Sequence, residues 1–232
     1  MKSMMVLALG GMMFISQTPT YAQLGGLGLG KKKSADTGGA TIDKDAFGKS
    51  ADQTAENLLA ARITFQDAKK KMADALGIKT DAYEKASEAL RTKEGSTSDK
   101  VKQLETTSKI TADADKEFDA KMAESKELSA ESKAKFAEGG GKFIEGVLLE
   151  KAQIEAIQKL VEQGQSLVQS ASPLQKAGVL SIVKPVTTMS TIVPGDVKEG
   201  TSTLSKIMKF AQSQKVEIPG SDKATALLGN GP

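Results

Sequence analysis

Five stretches of the chain carry residue types suited to chemistry, and each lacks a required partner. Gly140-Gly141-Lys142 has the glycines and lysine of a phosphate-cradling loop, but Phe143 stands where Ser or Thr must hold magnesium. It reads instead as a helix break. Asp43-x-Asp45-x-Phe47-Gly48 begins like a calcium loop, yet Phe47 replaces an oxygen ligand at position 5 and Thr54 replaces the bidentate Glu at position 12. A helix start fits it better. Asp113, Asp115, Glu117 and Asp119 form a local acidic cluster, but alternate residues on a helix splay around it, so a solvated face is expected. Gly26-x-Gly28-x-Gly30 has neither the G-x-G-x-x-G spacing nor the preceding strand of a dinucleotide site. Ser and Lys neighbours such as Ser129, Ser132 and Lys133 lie on a helix open to water, where nothing lowers a lysine pKa.

Composition narrows the chemistry further. The 232 residues contain no His, Cys or Trp. Thiolate, zinc-thiolate and iron–sulfur chemistry are excluded, and so is the usual general base near neutral pH. No cofactor or metal is called for, and the chain is expected not to be an enzyme. Net charge is +3, with 32 basic against 29 acidic side chains. All but two of the basic residues (Arg62 and Arg91) are Lys, interleaved with Glu and Asp. Scarce Arg and scarce aromatics disfavour a nucleic-acid partner.

What remains is an apolar groove. Met72, Met122, Met189 and Met208 each fall on an apolar face of a different expected helix, and flexible thioethers suit adaptable cavities. With Leu148, Ile157 and Pro185 they outline a possible ligand groove between helices 142–169 and 174–193. Core filling is the competing reading.

These residues need elements to position them. Met1 to Ala22 reads as a signal peptide: Lys2, an apolar run from Met4 to Ile15, then Thr20-Tyr21-Ala22 as the cleavage site. About a dozen residues fall short of the ~20 that span a bilayer, so no transmembrane span is expected after cleavage. Residues 23–42, with Leu24, Leu27, Leu29 and Lys31-Lys32-Lys33 among glycines, form a flexible Gly/Lys-rich leader. A single helical domain then covers 43–230.

Within it, Phe47, Ala51, Ala55, Leu58, Phe65, Met72 and Leu76 recur at helical spacing, and Gly77-Ile78 supplies a Schellman ending. A shorter helix starts at Thr80 or Asp81. Ser96 and Asp99 form a capping box that opens a helix reaching Glu138, expected to project or pack loosely. Gly139-Gly140-Gly141 ends these polar long helices, 43–138. The apolar core hairpin, 142–211, follows: a central helix 142–169, a helix kinked near Pro185, a turn at Pro194-Gly195-Asp196 and a last long helix. The fold class is all-α, an elongated bundle of about five helices.

The function expected is that of an exported, non-enzymatic helical-bundle protein of the bacterial cell envelope, periplasmic or secreted, that binds an envelope protein or lipid partner. The alternative is a periplasmic carrier of a lipid or other apolar ligand. A membrane-active secreted protein ranks below both, because charged residues along 142–169 oppose bilayer burial. The sequence leaves the oligomeric state unread.

Overall fold

The computed structural model describes residues 42–92 and 95–229; the expected signal peptide, 1–22, and the expected leader through Thr41 lie outside the described residues. Among the described residues the chain is all-helical, without strands. The described residues form six helices: α1 (Lys44–Ala75), α2 (Asp81–Arg91), α3 (Thr97–Glu124), α4 (Ala130–Ser170), α5 (Lys176–Ser213) and α6 (Ser221–Gly229).

Local signals set most of the ends. The Asp43 carboxylate accepts the amide of Asp45 at 2.8 Å, starting α1 where a calcium loop would have placed a ligand. At the other end Ile78 N–H donates to the Ala73 carbonyl at 2.9 Å and Gly77 N–H to that of Asp74 at 3.1 Å. With Gly77 at φ 71° this is the expected Schellman ending. Ser96 and Asp99 cap one another reciprocally at the start of α3. A second ending of the same kind closes α5, where Val216 N–H reaches the Ala211 carbonyl and Lys215 takes the left-handed position at φ 55°.

Three expectations are corrected. The helix from Ser96 does not reach Glu138; it stops at Glu124, and Ser129 caps a new helix by accepting the Ser132 amide at 3.1 Å. Serine competes for backbone donors in this way and favours caps over helix interiors. The glycine triplet is no break: α4 runs through it from Ala130 to Ser170. The core hairpin therefore begins near residue 130 rather than 142. Pro194 does not turn the chain, because α5 continues through both Pro185 and Pro194. Val193 before it and Leu204 and Ile207 after it are all buried, which holds one apolar face through the missing N–H. The count is thus six helices, differently divided.

The helix that packs most extensively on α1 is α4, which also contacts α5 and α6. Two apolar clusters result. One gathers Phe65, Met72, Tyr83, Phe136, Phe143 and Ile207; the other gathers Phe47, Leu58, Leu104, Ile157, Val186 and Met189. The Phe65 and Phe143 rings meet edge-on with centroids 5.0 Å apart, an arrangement that favours the ring quadrupoles.

Candidate functional site

Three helices each turn a polar stripe toward a common space. Arg62, Gln66 and Lys69 lie on one face of α1, and Ser108, Thr111 and Asp115 on one face of α3. On α5 the stripe is Glu199, Ser202, Thr203 and Lys206. Steps of three and four residues keep each set on its face. Together they line a cavity of about 370 Å³ with Ala112 and Phe118 on its wall, within the size range of small-molecule sites.

Arg62 anchors its inner end. Its Nη2 lies 3.3 Å from Glu150 Oε1 of α4 and also pairs with Asp196 of α5. Glu150 is 1% exposed. Burial pushes its carboxyl above the ordinary glutamate value, Arg62 opposes that rise, and the Glu199 charge adds to it. Asp115 ties three elements together: it accepts from Lys69 Nζ at 2.8 Å, Thr111 Oγ1 at 3.1 Å and the Tyr83 hydroxyl of α2 at 3.2 Å. Burial first, and then the Asp115 charge, push the Tyr83 hydroxyl well above its usual value. Four polar atoms here have no hydrogen-bond partner among the described residues: Arg62 Nε and Nη2, Gln66 Oε1 and Glu150 Oε2, with Nη2 held by its ion pairs alone. Buried polar atoms are rarely left so, because each forfeits about 1–3 kcal/mol of hydration.

Sequence reasoning passed over this site because it followed apolar stripes. The signal was present as polar residues at the same helical steps on three helices. The acidic cluster splays as expected but is not the solvated face expected: Asp115 faces α1 and α2, Asp119 pairs with Lys206 of α5, and Asp113 pairs with Lys116 in solvent.

The apolar groove residues are divided. Met72 and Met122 lie in the first cluster, with Leu148 and Met208 packed partly buried against it, while Ile157 and Met189 lie in the second. Pro185 is buried within α5. Met208 lines an open recess of about 590 Å³ with Val216 and Ile218, and Met122 lines another of about 490 Å³ with Phe210. The structure thus does not gather the seven into one groove: four are core residues of two clusters, Leu148 and Met208 pack against the first, Pro185 belongs to neither, and Met208 and Met122 border separate recesses.

The turn between α4 and α5 stands apart chemically. Residues 163–195 contain no Asp or Glu, and their only charges are Lys176 and Lys184. Leu174 is 96% exposed and Leu180 50% exposed. By length and composition α5 is apolar enough to cross a membrane, and a third of its most apolar stretch is buried; its other face forms core.

No family model, no curated protein and no solved structure matches the chain.

Proposed function

We propose that the chain is an exported, non-enzymatic helical protein of the bacterial cell envelope that works by binding a protein or lipid partner through the α4–α5 tip. The observation behind this reading is Leu174, 96% exposed within a 33-residue stretch free of acidic groups. Scattered exposed leucines are ordinary, but here exposed Leu180 and the exposed small residues Ala177 and Gly178 follow Leu174 within six positions. Apolar area gathered at one end, with lysines and no carboxylates, suits association with a partner.

The test is a photo-crosslinking residue at position 174 in living cells, alongside flotation of the purified chain with liposomes of anionic lipid. One defined adduct, or flotation, reduced at least tenfold by Leu174→Ser with Leu180→Ser at unchanged melting temperature, supports the reading. Diffuse adducts insensitive to both substitutions, with no flotation, sink it.

A carrier of an apolar ligand is a second reading, supported by the recesses at Met208 and Met122. It requires that protein purified without denaturation carry a lipid-sized mass in native mass spectrometry. An empty protein overturns it.

A further inference from the structure

The cations lining the polar cavity between α1, α3 and α5 already have partners. Lys69 is matched by Asp115, Lys206 by Asp119 and Lys116 by Asp113, while Arg62 is shared by Glu150 and Asp196. The groups left without hydrogen bonds are of both kinds. Gln66, 2% exposed, has an acceptor, Oε1, without a partner among the described residues, and Arg62 has a donor, Nε, in the same condition. Arg62 Nη2 is held by its ion pairs alone. Hydroxyls add to this set. Thr107 and Thr201, adjoining the lining residues in sequence, turn theirs back onto carbonyls of their own helices at 2.7 Å. Ser108, Ser202 and Thr203, which line the cavity, make no such bond among the described residues.

We propose that this cavity binds a neutral polyhydroxy compound of monosaccharide size. Gln66 Oε1 and the Glu199 carboxylate accept from its hydroxyls, and Arg62 Nε donates to one. Each hydroxyl both gives and accepts hydrogen bonds, so a run of them serves a lining that offers donors and acceptors together. An added anion competes with ion pairs already made, and an added cation finds only Glu199, which is exposed and hydrated. Water serves the same groups, and ligand hydroxyls that reproduce its hydrogen bonds displace it without loss. Ala112 and Phe118 on the wall suit the C–H face of a sugar ring, and about 370 Å³ lies in the range of small-molecule sites. The site lies on stretches of α1, α3 and α5 other than the α4–α5 tip, so it stands or falls independently of partner binding there.

Four neutral probes test it: D-glucose, D-galactose, D-mannose and myo-inositol, each titrated into the full chain and followed by amide chemical shifts. At least one should give saturable shifts at Thr111, Ser202 and Thr203. D-glucosamine, D-glucuronate and tetrahydropyran-2-methanol, which keeps the ring and lacks its hydroxyls, should each bind at least tenfold more weakly. Glu199→Ala, at an exposed position that leaves folding intact, should weaken the neutral probe at least tenfold. Gln66→Met, close in volume, should do the same, with circular dichroism to check the fold. Binding of either charged sugar or of the bare ring as tightly as the neutral probe overturns the proposal, as does binding indifferent to Glu199→Ala. A cavity filled by water alone responds to none of the four, which overturns it equally.

Discussion

α1 is gripped on two sides by different physics. Toward α4 the closest approach is set by shape, although the Arg62–Glu150, Lys71–Glu138 and Lys135–Asp74 pairs also cross that interface. A side-chain carbon on Gly139 would lie 2.6 Å from Met72 Cγ and 2.9 Å from the Ala68 carbonyl oxygen, and one on Gly146 would lie 3.2 Å from the Phe65 ring. Only hydrogen at these positions lets the helices come so close. Toward α3 the contact is made by charge. Lys100, 3% exposed, places its Nζ 2.8 Å from both oxygens of Asp52 and 2.8 Å from Glu56, while Thr97 donates to Asp52 at 3.0 Å. Further along, Lys69 reaches Asp115. The first interface rejects added volume and the second rejects lost charge, so substitutions should separate them cleanly.

The largest effect is expected at Gly139→Ala. In an open helix this change is favourable, since glycine costs about 0.5–1 kcal/mol against alanine. Here the new carbon meets the α1 backbone at Ala68, which cannot rotate away. Overpacking of that kind costs about 1–3 kcal/mol and more where backbone must shift. A net loss of about 2 kcal/mol is expected from urea unfolding. A neutral or stabilising result would show that the two helices part freely, and the close contact would lose its meaning.

How much of this contrast was legible in the residues depends on the span of each interaction. The Schellman ending at Gly77 and the Ser96–Asp99 box use partners within five residues, and their spacing made them legible. The Gly139–Gly141 run was misread as a break because its partners, Met72, Ala68 and Ile218, are distant in the chain. Nothing local marks Lys100, since Asp52 and Glu56 lie 48 and 44 positions before it. The cavity was missed for the same reason: three polar stripes become a site only when three helices meet. Pro194 was misjudged because a local rule against proline in helices yields to the buried residues on either side of it.

The next effect belongs to the charged side of α1. Lys100→Met keeps the length of the aliphatic stem and removes the ammonium. Asp52 and Glu56 are each about 40% exposed on their side chains, so water can rehydrate them once the cation is gone. That places the cost below the 3–5 kcal/mol of a fully buried broken pair, at about 1–2 kcal/mol. Added salt should leave the Gly139→Ala deficit unchanged and reduce the Lys100→Met deficit, because screening acts on the partly exposed pair alone. Equal salt dependence for the two variants would erase the distinction between a shape contact and a charge contact.

The smallest effect provides the control for the largest. Gly195 also lies inside a helix, next to Pro194 in α5, but a carbon added there meets nothing within 4 Å. Gly195→Ala should therefore raise stability by about 0.5–1 kcal/mol, through lower unfolded-chain entropy and better helix propensity. The same chemical change would then carry opposite signs at two helical glycines of one chain, separated by roughly 3 kcal/mol on the sum of the two expectations. Propensity is common to both sites and cancels, leaving the approach of α1 to α4 as the difference. If Gly195→Ala were as damaging as Gly139→Ala, the cost would lie in the glycine backbone itself and not in what packs against it.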